Sequence, residues 1–394
     1  MMAAQRHYGM DWLRIGAFGL LILYHIGMYF VPWGWHVKVA APLDWAQFPM
    51  MAVNPWRLGL LFVVSGFASH ALFSRMRGPG EFVGSRTARL LIPLIAGMVI
   101  VVPAQPWVEL MFGHGYTRGF AHFWLHDYFR FDATLGGIVL PTWNHLWFVA
   151  YLWVYSLLLG AMLWAIPKSV RAVIAEGFER ALSGWLILAT PALLLAFQEF
   201  VLLPDSEMTH ALVGDWAAHV VFFPLFLFGY LLMGSERVWA AIRAHWRTIG
   251  LLAIAGYALS VAIELGQATF IPADWRHAAF ETARIFQGWG AIVALIGLAD
   301  RYLNRDLPVR PMLTEAVFPF YIIHQTTIVL VGWWLIGRGY VAGTQFAILL
   351  VATVASCWVF YLAGREIGWL RPLIGLKPRK RAAPPPAEPR MQSL

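Results

Sequence analysis

The first long apolar run of the chain contains two ionisable residues, Arg14 and His25, in the segment DWLRIGAFGLLILYHIGMYF. They are 11 residues apart, so in an α-helix they lie on one face, about 16 Å apart along the axis. Guanidinium binds anions, and imidazole takes up protons near neutral pH. The pair predicts an anion near Arg14 and a general base at His25. Each residue alone also fits a snorkelling arginine or a hydrogen-bonded interior histidine. Asp11 is expected to orient Arg14.

Two further apolar segments supply candidates for catalysis. Tyr321 and His324 share a helix face in FPFYIIHQTT, and we expect them to orient either the base or the carbonyl of the acyl group. Ser65, in the middle of FVVSGF, is a possible covalent nucleophile, but a Ser–Gly pair more often serves close helix packing.

Four arginines lie between the second and third apolar segments, and two of them, Arg86 and Arg89, are one turn apart in SRTARLLIP. Guanidinium groups bind phosphate in a bidentate manner, and we expect the start of a helix here to add a favourable dipole. Together with Arg14 they predict a phosphate site. The alternative is the general excess of basic residues on the cytoplasmic side of membrane proteins.

These residues are embedded in a chain that is too apolar for a soluble domain. Of its 394 residues, 60% are hydrophobic and only 13% are charged, and the mean hydropathy is +0.63. A membrane-crossing helix needs roughly 20 apolar residues. The sequence therefore predicts an all-α, polytopic integral membrane protein with about ten transmembrane helices. The predicted spans are roughly 10–33, 55–74, 88–110, 144–166, 182–203, 216–233, 248–268, 279–299, 312–335 and 343–364.

The distribution of basic residues predicts that both termini are cytoplasmic. Most of the 29 lysines and arginines then lie in cytoplasmic segments. The net charge of +8 is thus an insertion signal, and no nucleic-acid partner is predicted. Residues 1–378 are predicted to form the membrane domain, and the basic, Pro/Ala-rich residues 379–394 a disordered cytoplasmic tail. The single cysteine, Cys357, excludes an intramolecular disulfide, and no metal site is predicted.

The predicted outer side carries candidates for binding an acceptor. The segment from 111 to 143 is long and aromatic, which is typical of an interfacial belt but also of a cover over a sugar-binding cleft. Glu109, Glu199 and Glu264 lie near predicted outer helix ends. Their carboxylates are suited to bind sugar hydroxyls, or they are simply solvated at the headgroup boundary.

These motifs resemble the acyltransferase-3 family of integral membrane acyltransferases. Five family motifs match in chain order and over almost the whole length, at Arg14 and His25, at Ser65, at Arg86 and Arg89, at His145 and Trp147 in NHLWFV, and at Tyr321 and His324. A Trp-His-Val tripeptide at residues 35–37 is similar to the subfamily that adds succinyl groups to periplasmic glucans.

The resemblance implies that acyl-CoA, as succinyl-CoA or acetyl-CoA, is the donor substrate and that no cofactor is permanently bound. The donor would bind from the cytoplasm, with its phosphates at Arg14, Arg86 and Arg89. His25 would then take the proton of an acceptor hydroxyl that arrives from the opposite side of the membrane.

The expected function is transfer of that acyl group to a hydroxyl of an extracytoplasmic glycan, such as periplasmic glucan, at the bacterial inner membrane. His145 and Trp147 are expected to bind substrate. If the acyl group is a diacid, Arg57 at a predicted outer helix end is the candidate to bind its free carboxylate. The alternatives are O-acetylation of lipopolysaccharide, peptidoglycan or a lipid-linked molecule, and a proton-coupled transporter.

Overall fold

In the computed structural model, residues 7–131, 135–204 and 206–378 are described, and within these ranges the chain is helical with no β-strand. The predicted tail, residues 379–394, lies outside them. The helices are α1 (Tyr8–Met28), α2 (Gln47–Phe73), α3 (Pro79–Ala96), α4 (Ala104–Gly113), α5 (Phe120–His122), α6 (Trp147–Ala165), α7 (Lys168–Ala181), α8 (Leu186–Phe197), α9 (Trp216–Leu232), α10 (Glu236–Glu264), α11 (Arg276–Tyr302), α12 (Arg310–Leu335), α13 (Ala342–Glu366) and α14 (Leu370–Leu373).

Seven of the described helices are long and apolar enough to cross a membrane, namely α2, α3, α6, α10, α11, α12 and α13 with their short 3-10 or π extensions. The pair formed by α7 and α8 meets the same test together but is bent by 101°, and would make an eighth span. The prediction of an all-helical polytopic protein is confirmed. The count of ten, which also needs α1 and the 17-residue α9, stays a prediction.

Apolar side chains cover much of the outside of the bundle. Leu251 and Ile254 on α10 are 66% and 64% exposed, and Val351 and Val359 on α13 are both 67% exposed. Side chains of this kind face lipid in a membrane protein, because hydrocarbon solvates them as well as a protein core does.

Three helices, α2, α3 and α10, begin well before the predicted spans, and the differences in α2 and α3 affect candidate residues. The predicted start of α2 at residue 55 is wrong, since the helix begins at Gln47 and places Arg57 inside it. Pro55 cannot donate to the carbonyl of Met51, but Gln287 of α11 donates to that carbonyl at 2.9 Å and lets the helix continue.

The predicted start of α3 at residue 88 is also wrong. The helix begins at Pro79, because a proline at the first helical position loses no hydrogen bond. Arg86 and Arg89 therefore lie inside the helix, and the expected contribution of a helix N-terminus to phosphate binding does not hold.

The backbones of α2 and α9 touch at two glycines. A β-carbon at Gly66 would lie 1.9 Å from the carbonyl oxygen of Phe226, and one at Gly229 would lie 1.9 Å from that of Val63. Only glycine permits such an approach between helices. The contact fixes α2 against α9, while α1 packs against α2, α11 and α12.

Candidate functional site

A cavity of about 400 Å³ lies at the end of the bundle where α1 ends and α6 and α9 begin. This is the predicted outer side. The wall comes from α1, α2, α6 and α12 and from the loops that precede α6 and α9. Its polar and aromatic side chains include those of Tyr24, His25, Trp35, Arg57, Thr142, Trp143, Asn144, His145, Trp147, Thr209, His210, Tyr321 and Gln325.

His25 and His324 form a hydrogen-bonded pair at the base of this cavity. The Nδ1 atom of His25 lies 2.8 Å from Nε2 of His324, and the ring centroids are 5.0 Å apart and nearly parallel. The indole of Trp35 also lies against His25, with ring centroids 5.5 Å apart and an angle of 23° between the planes. The His25 ring is therefore held by a hydrogen bond to His324 and by ring contact with Trp35.

The partners of His324 decide which nitrogen of each ring carries a proton. Nδ1 of His324 lies 2.8 Å from the carbonyl oxygen of Tyr321 and 3.2 Å from that of Phe320. A carbonyl only accepts, so this nitrogen donates, and Nε2 of the neutral ring is left as an acceptor. Nδ1 of His25 must then donate to it. The lone pair of His25 is consequently on Nε2, the nitrogen available to a ligand.

His145 lines the cavity, but both of its ring nitrogens have protein partners. Nε2 lies 3.0 Å from the carbonyl oxygen of Tyr321 and 3.1 Å from that of Ile322, and Nδ1 lies 3.3 Å from Nε2 of Gln105. The hydroxyl of Tyr321 donates in return to the carbonyl oxygen of His145. These hydrogen bonds connect the start of α6 to α12. They also hold the backbone at Tyr321, whose carbonyl oxygen orients His324.

A chain of hydrogen bonds that the sequence did not suggest runs behind the cavity. Nδ1 of His36 lies 2.5 Å from a carboxylate oxygen of Glu109, and Nε2 of Gln325 lies 3.1 Å from Nε2 of His36. Gln325 also donates to Gln105 at 3.0 Å, and Gln105 donates to Thr326 at 2.7 Å. Glu109 thus has a protein partner and anchors the segment that carries Trp35.

The loop before α9 brings His210 to the cavity, where its ring stacks on Trp147 with centroids 4.0 Å apart. Asp215 holds this loop, because it accepts from the hydroxyl of Tyr151 at 2.5 Å and from the amide of His210 at 2.8 Å. His210 has a positive φ of 56°, a conformation that costs energy for a residue other than glycine and is common at functional sites.

The electrostatics of this loop follow from its contacts. Burial raises the pKa of Asp215, but the hydrogen bonds from Tyr151 and from the amides of His210, Thr209 and Ala218 outweigh it, so the pKa lies below the usual value. Burial lowers the pKa of His210. At neutral pH the loop therefore combines an ionised carboxylate with a neutral imidazole at the cavity rim.

Arg57 is the one arginine in the cavity wall among the residues that the structure describes. Its guanidinium carbon lies 3.4 Å from the centroid of the Tyr24 ring, and Nη1 donates to Oδ1 of Asn54 at 2.5 Å. The side chain is only 7% exposed.

A cluster of arginines, Arg14, Arg86 and Arg89, occupies the opposite end of the bundle, where the three charges act on one another. Arg14 donates to the carbonyl oxygen of Thr314 at 3.4 Å, and Nε of Arg86 donates to Ser156 at 3.0 Å. Nε of Arg14 and Nη2 of Arg86 are buried without a partner among the described residues. Such a cluster is suited to bind a polyanion.

The charge of Asp11 acts on Arg14, and the expectation that it orients Arg14 stays a prediction. The carboxylate of Asp11 is bound to Arg310 of α12 at 2.5 Å, and Arg310 also pairs with Asp306 at 2.8 Å. This ion pair closes the inner end of α12 onto α1. It leaves the guanidinium of Arg14 without a bound carboxylate.

Three candidate residues do not line the cavity. Ser65 lies on α2 next to Gly66, where α2 packs on α9, and its carbonyl accepts from Ser69 at 2.8 Å. Glu199 lies in the π-helical turn after α8, and Glu264 is the exposed last residue of α10. The residues to which sequence reasoning gave no role in the site are Trp35, Asn144, His210 and Gln325. Two of them had a signal, Asn144 in its position beside His145 in NHLWFV and Trp35 in the tripeptide at residues 35–37.

Comparison with known proteins places all these residues within one family match. The model of the acyltransferase domain family, acyltransferase 3, matches residues 7–362. Glucans biosynthesis protein C of Shigella dysenteriae serotype 1 is 28% identical over 156 residues, and that of Escherichia coli O1:K1 is 28% identical over 158 residues. Each alignment covers 39% of this chain and 38% of the relative. No solved structure matches the chain.

Proposed function

Since the chain belongs to the acyltransferase-3 family of membrane acyltransferases, we propose that it transfers a succinyl or acetyl group from acyl-CoA to a hydroxyl of an extracytoplasmic glycan. The observation that carries the proposal is the His25–His324 pair, which leaves the basic nitrogen of His25 available in a cavity on the predicted outer side.

In this reaction His25 is the general base. The acceptor oxygen attacks the thioester carbonyl carbon while its proton moves to Nε2 of His25, and the imidazolium that forms is stabilised by the hydrogen bond from its Nδ1 to His324. The C–S bond then breaks, and the same proton passes to the departing thiolate. The products are an ester and free coenzyme A, and His25 returns to its neutral state.

Two buried donors are suited to stabilise the oxyanion of the tetrahedral intermediate. Nε1 of Trp35 and Nδ2 of Asn144 are buried without a hydrogen-bond partner among the described residues, and both residues line the cavity. A buried donor without a partner is costly, and a negatively charged oxygen would satisfy both. Asn144 also has a positive φ of 42°, so its backbone conformation carries strain at the place where the reaction would occur.

The donor would bind with its phosphates among Arg14, Arg86 and Arg89. The unpartnered guanidinium nitrogens of Arg14 and Arg86 support this role, because phosphate oxygens accept bidentate hydrogen bonds from arginine. The distance to His25, about three helical turns, is one that the pantetheine arm of coenzyme A can cross.

The acceptor would enter through the loops that precede α6 and α9. The aromatic side chains of Trp143, Trp147 and His210 line that entrance and are suited to stack on sugar rings. The glycan as acceptor is supported by the two relatives, whose name refers to glucans biosynthesis. The proposed location in a bacterial inner membrane is supported by the apolar helices and by the bacterial origin of these relatives.

The proposal is tested with purified protein in vesicles that contain labelled succinyl-CoA or acetyl-CoA on one side and a glucan oligosaccharide on the other. Mass spectrometry should detect an ester on the glucan with the wild-type protein. His25→Ala should reduce its formation about 10²–10⁴-fold while acyl-CoA binding persists. A variant that keeps more than about a tenth of the wild-type rate would contradict the role of His25.

A further inference from the structure

Arg57 is a buried cation in the wall of the cavity that holds His25. It lies eleven residues into α2, and its side chain is 7% exposed. Among the described residues, no carboxylate lies within ion-pair distance of its guanidinium group, and its Nε is buried without a partner. Among residues 7–131, 135–204 and 206–378, those that line the cavity include no aspartate or glutamate.

A comparison with Arg310 shows how unusual this arrangement is within the same molecule. Arg310 is similarly buried, at 4% exposure, but it is paired with Asp11 at 2.5 Å and Asp306 at 2.8 Å. Burying a charge costs several kcal/mol unless an opposite charge compensates for it. Arg310 has that compensation within the protein, whereas no such partner of Arg57 is found in the part of the chain that the structure describes.

The neighbours of Arg57 hold it in place without neutralising it. Asn54 accepts from Nη1 at 2.5 Å, and the guanidinium carbon lies 3.4 Å from the centroid of the Tyr24 ring. Both partners are uncharged. They fix the direction of the guanidinium group, which therefore presents a preformed positive charge to whatever fills the cavity.

The position of the Arg57 guanidinium group indicates which molecules it can contact. Tyr24 precedes His25 on α1, and their ring centroids are 6.1 Å apart. Arg57 and His25 both line the cavity, and the charge of Arg57 acts on the imidazole of the proposed base. A group bound to Arg57 would belong to one of the two reacting molecules.

We propose that the cavity takes a substrate carrying a carboxylate, and that Arg57 binds this carboxylate in a bidentate ion pair next to His25. The inference rests on the proposed acyl transfer for its setting. The carboxylate has two possible sources, the free end of a dicarboxylic acyl chain or an acidic sugar of the acceptor. In either case Arg57 determines which substrate is preferred, and the charge it contributes is neutralised only when that substrate is bound.

A binding experiment tests the inference without any turnover. Calorimetry with purified protein in detergent compares succinate with its uncharged analogue succinamide. The wild type should bind succinate about 10-fold or more tightly than succinamide, and Arg57→Gln should remove that difference. Equal binding of the two ligands by the wild type would overturn the proposal, whichever variants fold.

A turnover experiment identifies the source of the carboxylate. One arm compares succinyl-CoA with butyryl-CoA on a neutral glucan, and the other compares a neutral glucan with one carrying a uronic acid. In one of the two comparisons, the wild type should prefer the substrate that carries the carboxylate, and Arg57→Gln should lose that preference. That comparison identifies the molecule that supplies the carboxylate. An equal decrease with all substrates in Arg57→Gln would overturn the role in specificity. If no coenzyme A donor supports transfer, the proposed function fails, while the binding result still decides the role of Arg57.

Arg284 offers the matched control. It also lies near Tyr24, but it is outside the cavity wall and is paired with Glu281 at 3.4 Å. Arg284→Gln removes the same charge from the same region and should leave both preferences intact. Loss of preference in Arg284→Gln as well would assign the effect to the general field and overturn the specific contact.

Discussion

His25 on α1 and His324 on α12 are hydrogen-bonded at 2.8 Å although 299 residues separate them in the chain. The proton on Nδ1 of His324 is directed to helix carbonyls, so the pair has one arrangement of protons in the neutral state. In the proposed reaction, neutral His324 would have the orienting role that a carboxylate has in a catalytic triad.

We expect His324→Phe to lower kcat about 10- to 100-fold, because Nδ1 of His25 then has no acceptor and its tautomer is no longer fixed. His324→Gln should recover part of the loss, since its carbonyl can accept that hydrogen bond. Acyl-CoA affinity should not change in either variant. The measurement is steady-state kinetics with donor binding alongside. His70→Gln is the control, because His70 also contacts a helix carbonyl, that of Tyr230 at 2.8 Å, but lies outside the cavity wall. A loss of the same size in His70→Gln would contradict the orienting role.

Replacement of the inner arginines should weaken donor binding without affecting the base. We expect Arg86→Gln to raise the Kd for acyl-CoA about 10-fold or more, because charge-assisted hydrogen bonds to phosphate are lost. Arg14→Lys should weaken acyl-CoA binding as well, because an ammonium group cannot form the two parallel hydrogen bonds of a guanidinium group. Calorimetry measures both. Arg180→Gln is the control, because Arg180 is exposed and paired with Glu176 at 2.5 Å. Unchanged affinity in Arg86→Gln and Arg14→Lys would exclude a phosphate site here.

Trp35→Phe tests the proposed oxyanion donor, since it removes one N–H and keeps an aromatic ring over His25. Loss of a single such donor typically lowers kcat by about 10²-fold with little change in KM. Trp143→Phe is the matched control, because Trp143 lines the same cavity but its indole already donates to the carbonyl oxygen of His210 at 3.0 Å. If kcat falls by the same factor in the two variants, the decrease in Trp35→Phe results from altered packing and not from loss of an oxyanion donor.

Acid should release the loop that Asp215 holds. The pKa of Asp215 is lower in the folded protein than its usual value, so the ionised form stabilises the fold. That contribution is present above the usual aspartate pKa and is lost as the pH falls through the folded value. We expect the loop before α9 to become susceptible to protease below about pH 4. Asp215→Asn should be susceptible already at pH 7, and Asp274→Asn, in the exposed loop before α11, should behave like the wild type. A wild-type loop that stays protected at pH 3 would contradict this.

The sequence predicts helices well where length and apolar composition suffice, and it fails where a distant partner decides. Asn54 and Pro55 suggest a helix boundary, but α2 continues through them because Gln287, 236 residues away, satisfies the carbonyl that Pro55 leaves free. No local pattern in the chain contains that contact.

The candidate site, too, could be predicted from the sequence only in part. His25 and His324 were candidates because ionisable groups in apolar helices are rare, but their spacing along the chain could not show that they meet. Trp35 and His210 lie in loops without periodicity, and Trp35 was noticed only for its place in the tripeptide at residues 35–37. Their position against the cavity depends on contacts such as the one between Asp215 and Tyr151.

Two loops form the mouth of the cavity, one containing Thr142–Asn144 and the other Thr209–His210. Both are separate in sequence from the helices that carry His25, His324 and the inner arginines. Insertions, deletions and exchanges in such loops leave the helices intact. Under the proposed function, homologous enzymes would therefore diverge in the acceptor they modify while the binding of the donor stays constant. A chimera that takes both loops from another family member should acquire that member's acceptor range with unchanged affinity for coenzyme A.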